Sequence, residues 1–246
     1  MAKSNKTKWI PTDKRFVAFF DILGFKDMVM RSTHNEIYDK LNEISRIKKW
    51  LEKLTADDEI QEKVGNAEIY TVSFSDSIVL FSKNGDSENF RFFLVAVRWF
   101  LAKAIENDIP MKGGMAYGQI SLNKSEQIYF GQPIIDAYLI EEDVYYFGVT
   151  AHNSINNYIN QNHDSLDMKY INEILFDCLT PLKCGKVEHT NVNWFIKIGG
   201  VMEMTDKDEK KKIINETIKK FRMTASGSPR KYVDNTLHVL KNIIIV

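Results

Sequence analysis

Cysteine, net charge and long apolar runs are what this sequence lacks. Two cysteines, Cys178 and Cys184, are all that 246 residues carry. They cannot build a disulfide framework, and no histidines at ligand spacing stand beside them to make a zinc site. Two reduced thiols in a cytoplasmic protein are the expectation. Lys plus Arg number 33, and so do Asp plus Glu. A neutral chain has no broad positive field, which argues against nucleic acid or an anionic membrane as a partner and leaves room for a small basic pocket. No apolar run is long enough to span a bilayer. The opening, MAKSNKTKWIPTDKR, is basic but has no apolar core, so it does not read as a secretory signal. There is no internal repeat and no linker of the kind that separates domains. The length suits one large domain with ample core.

What is present is organised around Arg15 to Val29, RFVAFFDILGFKDMV. Five apolar residues, Phe16 to Phe20, run straight into Asp21, and a run of this kind reads as a strand buried on both faces. A carboxylate at the end of such a strand is costly unless its charge is compensated. Gly24 permits a sharp turn, and the helix start that follows presents free backbone N–H groups. A carboxylate beside an open helix N-terminus suits a metal-bound phosphate. It equally suits a plain helix cap, since Asp is among the preferred capping residues.

In chain order, residues 1–14 read as a polar, loose arm and Arg15 to Ile22 as the first strand. Residues 26–54 are helical with a break near Ser32 to Asn35, and Ile37, Leu41, Ile44, Leu51 and Leu54 form the apolar face. A charged linker covers 57–66. Ala67 to Ser82 reads as two short strands around a tight Ser75-Asp76-Ser77 turn. A helix spans 86–107, and a strand follows Pro110. Its glycines Gly113, Gly114 and Gly118 suggest that another backbone or a ligand approaches closely. A third helix covers 131–142 and another strand 144–149. Beyond 150 the pattern gives short helices at 153–161 and 166–175, and strand-rich chain over 188–201. A helix with a solvated charged face follows over 206–222, then a last helix with Leu237, Leu240 and Ile244 inward.

The order β-α-β-β-α-β is a ferredoxin-like, palm-type α+β core, here residues 15–150, with an α/β extension over 151–246 packed on the same domain. In that topology the first strand is central and the hairpin lies beside it. Asp21 and Asp76 then point into one space, and two such carboxylates repel unless a proton or a cation sits between them. A divalent metal pair is the natural resident.

Three segments now resemble a known family. FFDILGF is similar to the FxDIxGF segment of class III nucleotidyl cyclases, SFSDSIVLF to their second-metal hairpin, and MKGGMAYG with FGQPIIDAYLIEE to their RxGIHxG strand and GxxVNxAxRLE helix. The purine-reading positions of adenylate and guanylate cyclases fall on Val72 and Ile128, and neither side chain can hydrogen-bond a base. The ribose-orienting Asn and the transition-state Arg fall on Ile135 and Leu139. This pattern resembles the pyrimidine cyclases of the Pycsar anti-phage systems, which make cyclic UMP or cyclic CMP. The resemblance implies cyclisation of UTP, or else CTP, by two Mn2+ or Mg2+ ions held by Asp21, Asp76 and the Ile22 carbonyl. It places the β- and γ-phosphates on the N–H groups of Leu23, Gly24, Phe25 and Lys26, and it implies a homodimer with the site at the interface.

Lys112 stands nearest the family's strand Arg and is a candidate phosphate contact. Tyr70 and Tyr117 are candidates for stacking on the base, with Val72 on the pocket wall. Asp136 and Tyr138 are candidates to replace the missing Asn and Arg. Two alternatives stay open: a non-catalytic, nucleotide-binding regulatory relative, and a palm enzyme that joins two nucleotides, although the GGDEF signature of the latter is absent.

Overall fold

The computed structural model describes residues 8–54, 65–199, 204–223, 227–241 and 243. In order it contains β1 (Thr12–Ile22), α1 (Phe25–Arg31), α2 (His34–Leu54), β2 (Ile69–Phe74), β3 (Ser77–Ser82), α3 (Ser87–Glu106), β4 (Met111–Asn123), β5 (Ile128–Phe130), α4 (Gln132–Asp143) and β6 (Val149–Ala151). There follow α5 (Asn153–Gln161), α6 (Met168–Ile174), β7 (Leu175–Leu182), β8 (Gly185–Val192), α7 (Lys207–Lys219) and α8 (Arg230–Lys241).

One sheet runs β2-β3-β1-β4-β6-β8-β7, with β5 folded back on β4. The first four strands are antiparallel neighbours with β1 central. With the intervening helices they make the split βαβ arrangement of an α+β fold. β6 joins β4 in parallel, and β8 joins β6, so the later strands extend the same sheet.

The alternation along β1 decides the layers. Phe16, Ala18, Phe20 and Ile22 enter the main core, which α3 fills with Phe90, Phe93, Val97, Phe100 and Leu101. Val17 goes to the opposite face, with Phe81, Ala116, Ile120 and Ala137 of α4. Asp86 caps α3 by accepting from Asn89 N at 2.7 Å. The break between α1 and α2 is set by a capping box, in which Glu36 Oε2 accepts from Thr33 N (2.7 Å) and Thr33 Oγ1 (2.9 Å).

The close approach expected at the β4 glycines comes from α4 at Gly114 and Gly118 and from β1 at Gly113. A Cβ on Gly114 would stand 2.2 Å from the Ala137 carbonyl oxygen, and one on Gly118 would stand 2.9 Å from Pro133 Cγ.

Several expectations are corrected. β1 begins at Thr12, because Thr12 to Lys14 continue the ladder against Gln119 to Ser121. The arm is held from Trp9 onward, where the indole donates to Glu68 Oε2 at 2.9 Å and Lys124 Nζ lies 3.6 Å over the ring. No strand covers 144–148; Val144 makes a single bridge to Leu182, and the strand is Val149–Ala151. β8 ends at Val192, and Trp194 and Phe195 are fully buried at a short 3-10 turn, so the strand-rich chain expected over 188–201 stops there. The linker expected at 57–66 falls mostly outside the described residues, as does Ile244.

The terminal helix α8 grips the chain just beyond α4. Tyr232 meets Tyr145 edge-on at 4.5 Å, and Asn235 Nδ2 donates to the Tyr145 carbonyl at 2.7 Å. Fully buried Thr236 accepts from Phe147 N at 2.8 Å. Thr236→Val leaves that buried N–H without an acceptor and is expected to cost about 1–3 kcal/mol in urea unfolding, whereas Thr236→Ser retains the bond.

Candidate functional site

Asp21 ends β1 on the sheet face opposite the main core, with Ser77 and Lys112 as its Cα partners on the flanking strands. Asp76 occupies the two-residue turn between β2 and β3, where Phe74 pairs with Ser77. Its neighbour Ser75 adopts φ 55, a left-handed conformation that a side chain makes costly. The Asp76 carbonyl accepts from Ile22 N at 3.1 Å, which ties the turn to the end of β1 and places Asp76 beside Asp21. Burial raises the Asp21 carboxyl from its ordinary 3.8 to about 7. Glu141 and Asp76 add to that rise, and Lys112 and Lys183 oppose it.

The chain leaves this row through a left-handed Gly24 (φ 73), and a Cβ built there would meet nothing within 4 Å. The Leu23 N–H is engaged by the Pro110 carbonyl at 2.9 Å, so it is not an open donor. Phe25 and Lys26 begin α1, where first-turn N–H groups have no intrahelical acceptor.

Side chains on the Asp21 face fall into rows about 7 Å apart, two residues along each strand. The Asp21 row contains Phe74, Ser77 and Lys112; the next contains Val72, Val79, Phe19 and Gly114; the third contains Tyr70, Phe81, Val17 and Ala116. Val72 therefore lies one row from the carboxylates, on an apolar wall. Tyr70 lies two rows away, about 13 Å along the strand. Its hydroxyl shares a hydrogen bond with Tyr129 (2.9 Å), and Lys124 Nζ stands 4.3 Å over its ring. Burial and Tyr129 push the Tyr70 phenol up to about 12. Tyr117 faces the other side of the sheet, stacked on Phe16 at 4.6 Å, and does not meet a base held on the Asp21 face.

Lys112 is buried, with Nζ 3.0 Å from Glu141 Oε1. Asp136 is held by Gln132 Nε2 at 2.8 Å and stands 3.7 Å from His152 Nδ1, at the start of α5. Tyr138 is closer to the carboxylates. Its ring meets Phe19 edge-on at 5.3 Å, and the charges of Glu142, and then of Glu141 and Asp21, push its phenol upward.

Residues not singled out from sequence also surround Asp21: Glu141, Lys183 and Tyr232 all interact with it electrostatically. Glu141 closes the helix motif and was within reach of the sequence. Lys183 and Tyr232 come from the extension, and no local pattern assigns them to this place.

Among the described residues, no three His, Cys, Asp or Glu side chains converge as a metal-ligand set. A cation here has two carboxylates and must take its remaining oxygens from backbone and ligand, a donor set that fits Mg2+ or Mn2+ better than a softer metal. Burial raises Asp21 first and the charges of Glu141 and Asp76 add to it, and a cation would relieve that added repulsion. A cavity of about 340 Å3 lies elsewhere, between α5, α6 and the β7–β8 hairpin, lined by Asn156, Asn160, Asp177 and Thr190 among others. The carboxylates lie outside that cavity, on the sheet face that α4 packs against. Among the described residues no helix is long and apolar enough to cross a membrane.

No protein-family model and no curated protein matches the sequence. Among solved structures, a bacterial light-regulated adenylyl cyclase is similar over 84% of this chain and 98% of its own, at 13% identity and a TM-score of 0.47. The monomeric guanylyl cyclase domain of a RhoGC fusion protein from the aquatic fungus Blastocladiella emersonii is similar over 74% of this chain and 95% of its own, at 15% identity and a TM-score of 0.45. A class III adenylyl cyclase-like ATP-binding protein from Pseudomonas aeruginosa is similar over 66% of this chain and 40% of its own, at 16% identity and a TM-score of 0.43.

Proposed function

We propose that this chain is a nucleotidyl cyclase of the class III type that converts a pyrimidine nucleoside triphosphate, UTP ahead of CTP, into its 3′,5′-cyclic monophosphate. The observation that carries the proposal is the backbone tie from Ile22 N to the Asp76 carbonyl, which brings two electrostatically coupled carboxylates together next to the Gly24 turn. In the reaction the 3′-oxygen bonds to the α-phosphorus, the bond from that phosphorus to the bridging oxygen breaks, pyrophosphate leaves, and the hydroxyl proton passes to solvent. When bound, Mn2+ or Mg2+ would supply positive charge for the attacking hydroxyl and the transferring phosphoryl group.

Asp21 and Asp76 would hold those cations, and the resemblance adds the Ile22 carbonyl as a further oxygen ligand. The turn from Gly24 to Lys26 receives the terminal phosphates. The base lies toward Val72, Val79 and Phe19. This wall offers no side-chain donor or acceptor to any base edge, and the pyrimidine assignment rests on the sequence resemblance. Asp136 and Lys112 carry no direct substrate role in this account, since both are engaged within the chain. Following the sequence resemblance, the product is a second messenger of anti-phage defence, made in the cytoplasm.

A second copy of the chain completes the assembly. Ile135 and Leu139 lie one turn apart on α4 and are 52% and 53% exposed, and Phe74 at the carboxylate row is 84% exposed. Apolar exposure of that extent around one face suits a partner subunit. Leu139→Glu is expected to convert a dimer to a monomer by light scattering and to lower turnover with it.

The competing reading is a relative that binds nucleotide and regulates a partner. It is favoured by Ile135 and Leu139 standing where the cyclase motif has its Asn and Arg. Calorimetry with Mn2+ and a non-cyclisable UTP analogue, set beside turnover of UTP, separates the two. Binding that Asp76→Ala abolishes, together with turnover, supports the enzyme; the same binding without turnover supports the regulator.

A further inference from the structure

A buried ion pair stands at the carboxylate end of the sheet, and the proposed chemistry makes no use of it. Lys112 is 5% exposed and Glu141 is 3% exposed. Besides its contact with Glu141 Oε1 at 3.0 Å, Lys112 Nζ donates to the main-chain carbonyls of Glu141 (2.7 Å) and Glu142 (3.0 Å). Three contacts match the three protons of the ammonium, so none is left for a phosphate.

The two carbonyls belong to the last turn of α4, where the helix dipole is negative, and Lys112 adds to the bond that the Glu141 carbonyl accepts from Val144 N at 3.1 Å. Lys112 therefore caps α4 from a neighbouring strand. A buried ion pair is a poor source of stability, because apolar residues of similar volume do as well or better. What three convergent bonds do supply is direction. Lys112 is the Cα partner of Asp21, so the last turn of α4 is fixed against the carboxylate row itself. On that same stretch of α4, Tyr138 stands edge-on to Phe19, over the face where Asp21 opens.

We infer that Lys112 and Glu141 are positioning residues that set the last turn of α4, and with it Tyr138, at a fixed place over the nucleotide bound at Asp21. The inference rests on the cyclase reading. It makes Tyr138 the group that α4 presents to the nucleotide bound at Asp21 of the same chain.

The test uses the full chain, the single variants Lys112→Met and Glu141→Leu, and the pair of substitutions together. Each single variant leaves one charge buried without its partner and lowers the melting temperature. The double variant removes both charges and recovers most of that loss. Turnover does not recover with it: kcat for UTP stays about ten- to a hundredfold down while KM changes little, as expected for a displaced reacting geometry. Tyr138→Ala then lowers kcat in the wild type but adds little in the double variant, the non-additivity of groups that act together.

A double variant with both wild-type stability and wild-type kcat overturns the positioning role and leaves the cyclase reading intact. So does a Tyr138→Ala effect that is fully additive. A wild-type protein that cyclises none of the four nucleoside triphosphates overturns the cyclase reading first, and the inference with it.

Discussion

If the chain is a cyclase as proposed, Asp21→Asn is expected to abolish cyclic nucleotide formation and at the same time to stabilise the metal-free protein above neutral pH. Both effects come from one carboxylate. Activity falls by at least about a thousandfold, the upper scale for removing a single group that organises transition-state charge. The stability effect follows from proton linkage. The Asp21 carboxyl is raised from 3.8 to about 7 by burial, with Glu141 and Asp76 adding to the rise. A raised folded-state value means that the folded protein binds the proton more tightly than the unfolded chain. The stabilising contribution is complete below about pH 4 and is lost as pH climbs through about 7. With a chelator present, the melting temperature of the wild type therefore falls between pH 5 and pH 8, and asparagine flattens that slope. Mn2+ at pH 8 restores stability to the wild type and not to the variant. A slope that survives in Asp21→Asn points to Glu141, whose carboxyl is also raised by burial and held back by Lys112.

Gly114→Val unfolds the protein or lowers its stability by more than the roughly 1–3 kcal/mol usual for an overpacked core. The first added atom would stand 2.2 Å from the Ala137 carbonyl oxygen and 2.8 Å from Glu141 N. Both are helix backbone, which cannot move aside as a flexible side chain does. α4 must lift from β4, carrying Tyr138 and the Lys112–Glu141 pair away from the Asp21 row. Gly113→Ala is the milder comparison, because its Cβ would meet the Phe19 carbonyl and Phe20 Cδ1 at 2.9 Å. Urea unfolding of both variants should give the larger loss for Gly114. A fully stable Gly114→Val protein would mean that α4 does not pack on β4 as described.

The two carboxylates were legible in the sequence because the cues were local. An unbroken apolar run ending in Asp21, and a Ser75-Asp76 turn between two short strands, fix the topology, and the topology brings the turn to the strand end. The glycines of β4 announced a close approach, and the helix that makes it was also readable. The Lys112–Glu141 pair was not, since it depends on where one helix ends relative to the register of β1 with β4. β5 was missed because three residues carry too little pattern. The β7–β8 hairpin was blurred by its exposed polar tip and by Pro181, which lies in β7, the last strand of the described sheet. Tyr70 looked like a base-stacking residue because sequence shows neither the Tyr129 hydroxyl nor the Lys124 ammonium that engage it.

The most direct test of the central claim is a mass-resolved incubation of the protein with each of the four nucleoside triphosphates and Mn2+, beside Asp21→Asn. A cyclic pyrimidine monophosphate and pyrophosphate are expected, cyclic UMP in preference to cyclic CMP, and neither product from the variant. Cyclic AMP or cyclic GMP as the main product would contradict the pyrimidine assignment, and no cyclic product from any of the four would contradict the cyclase itself.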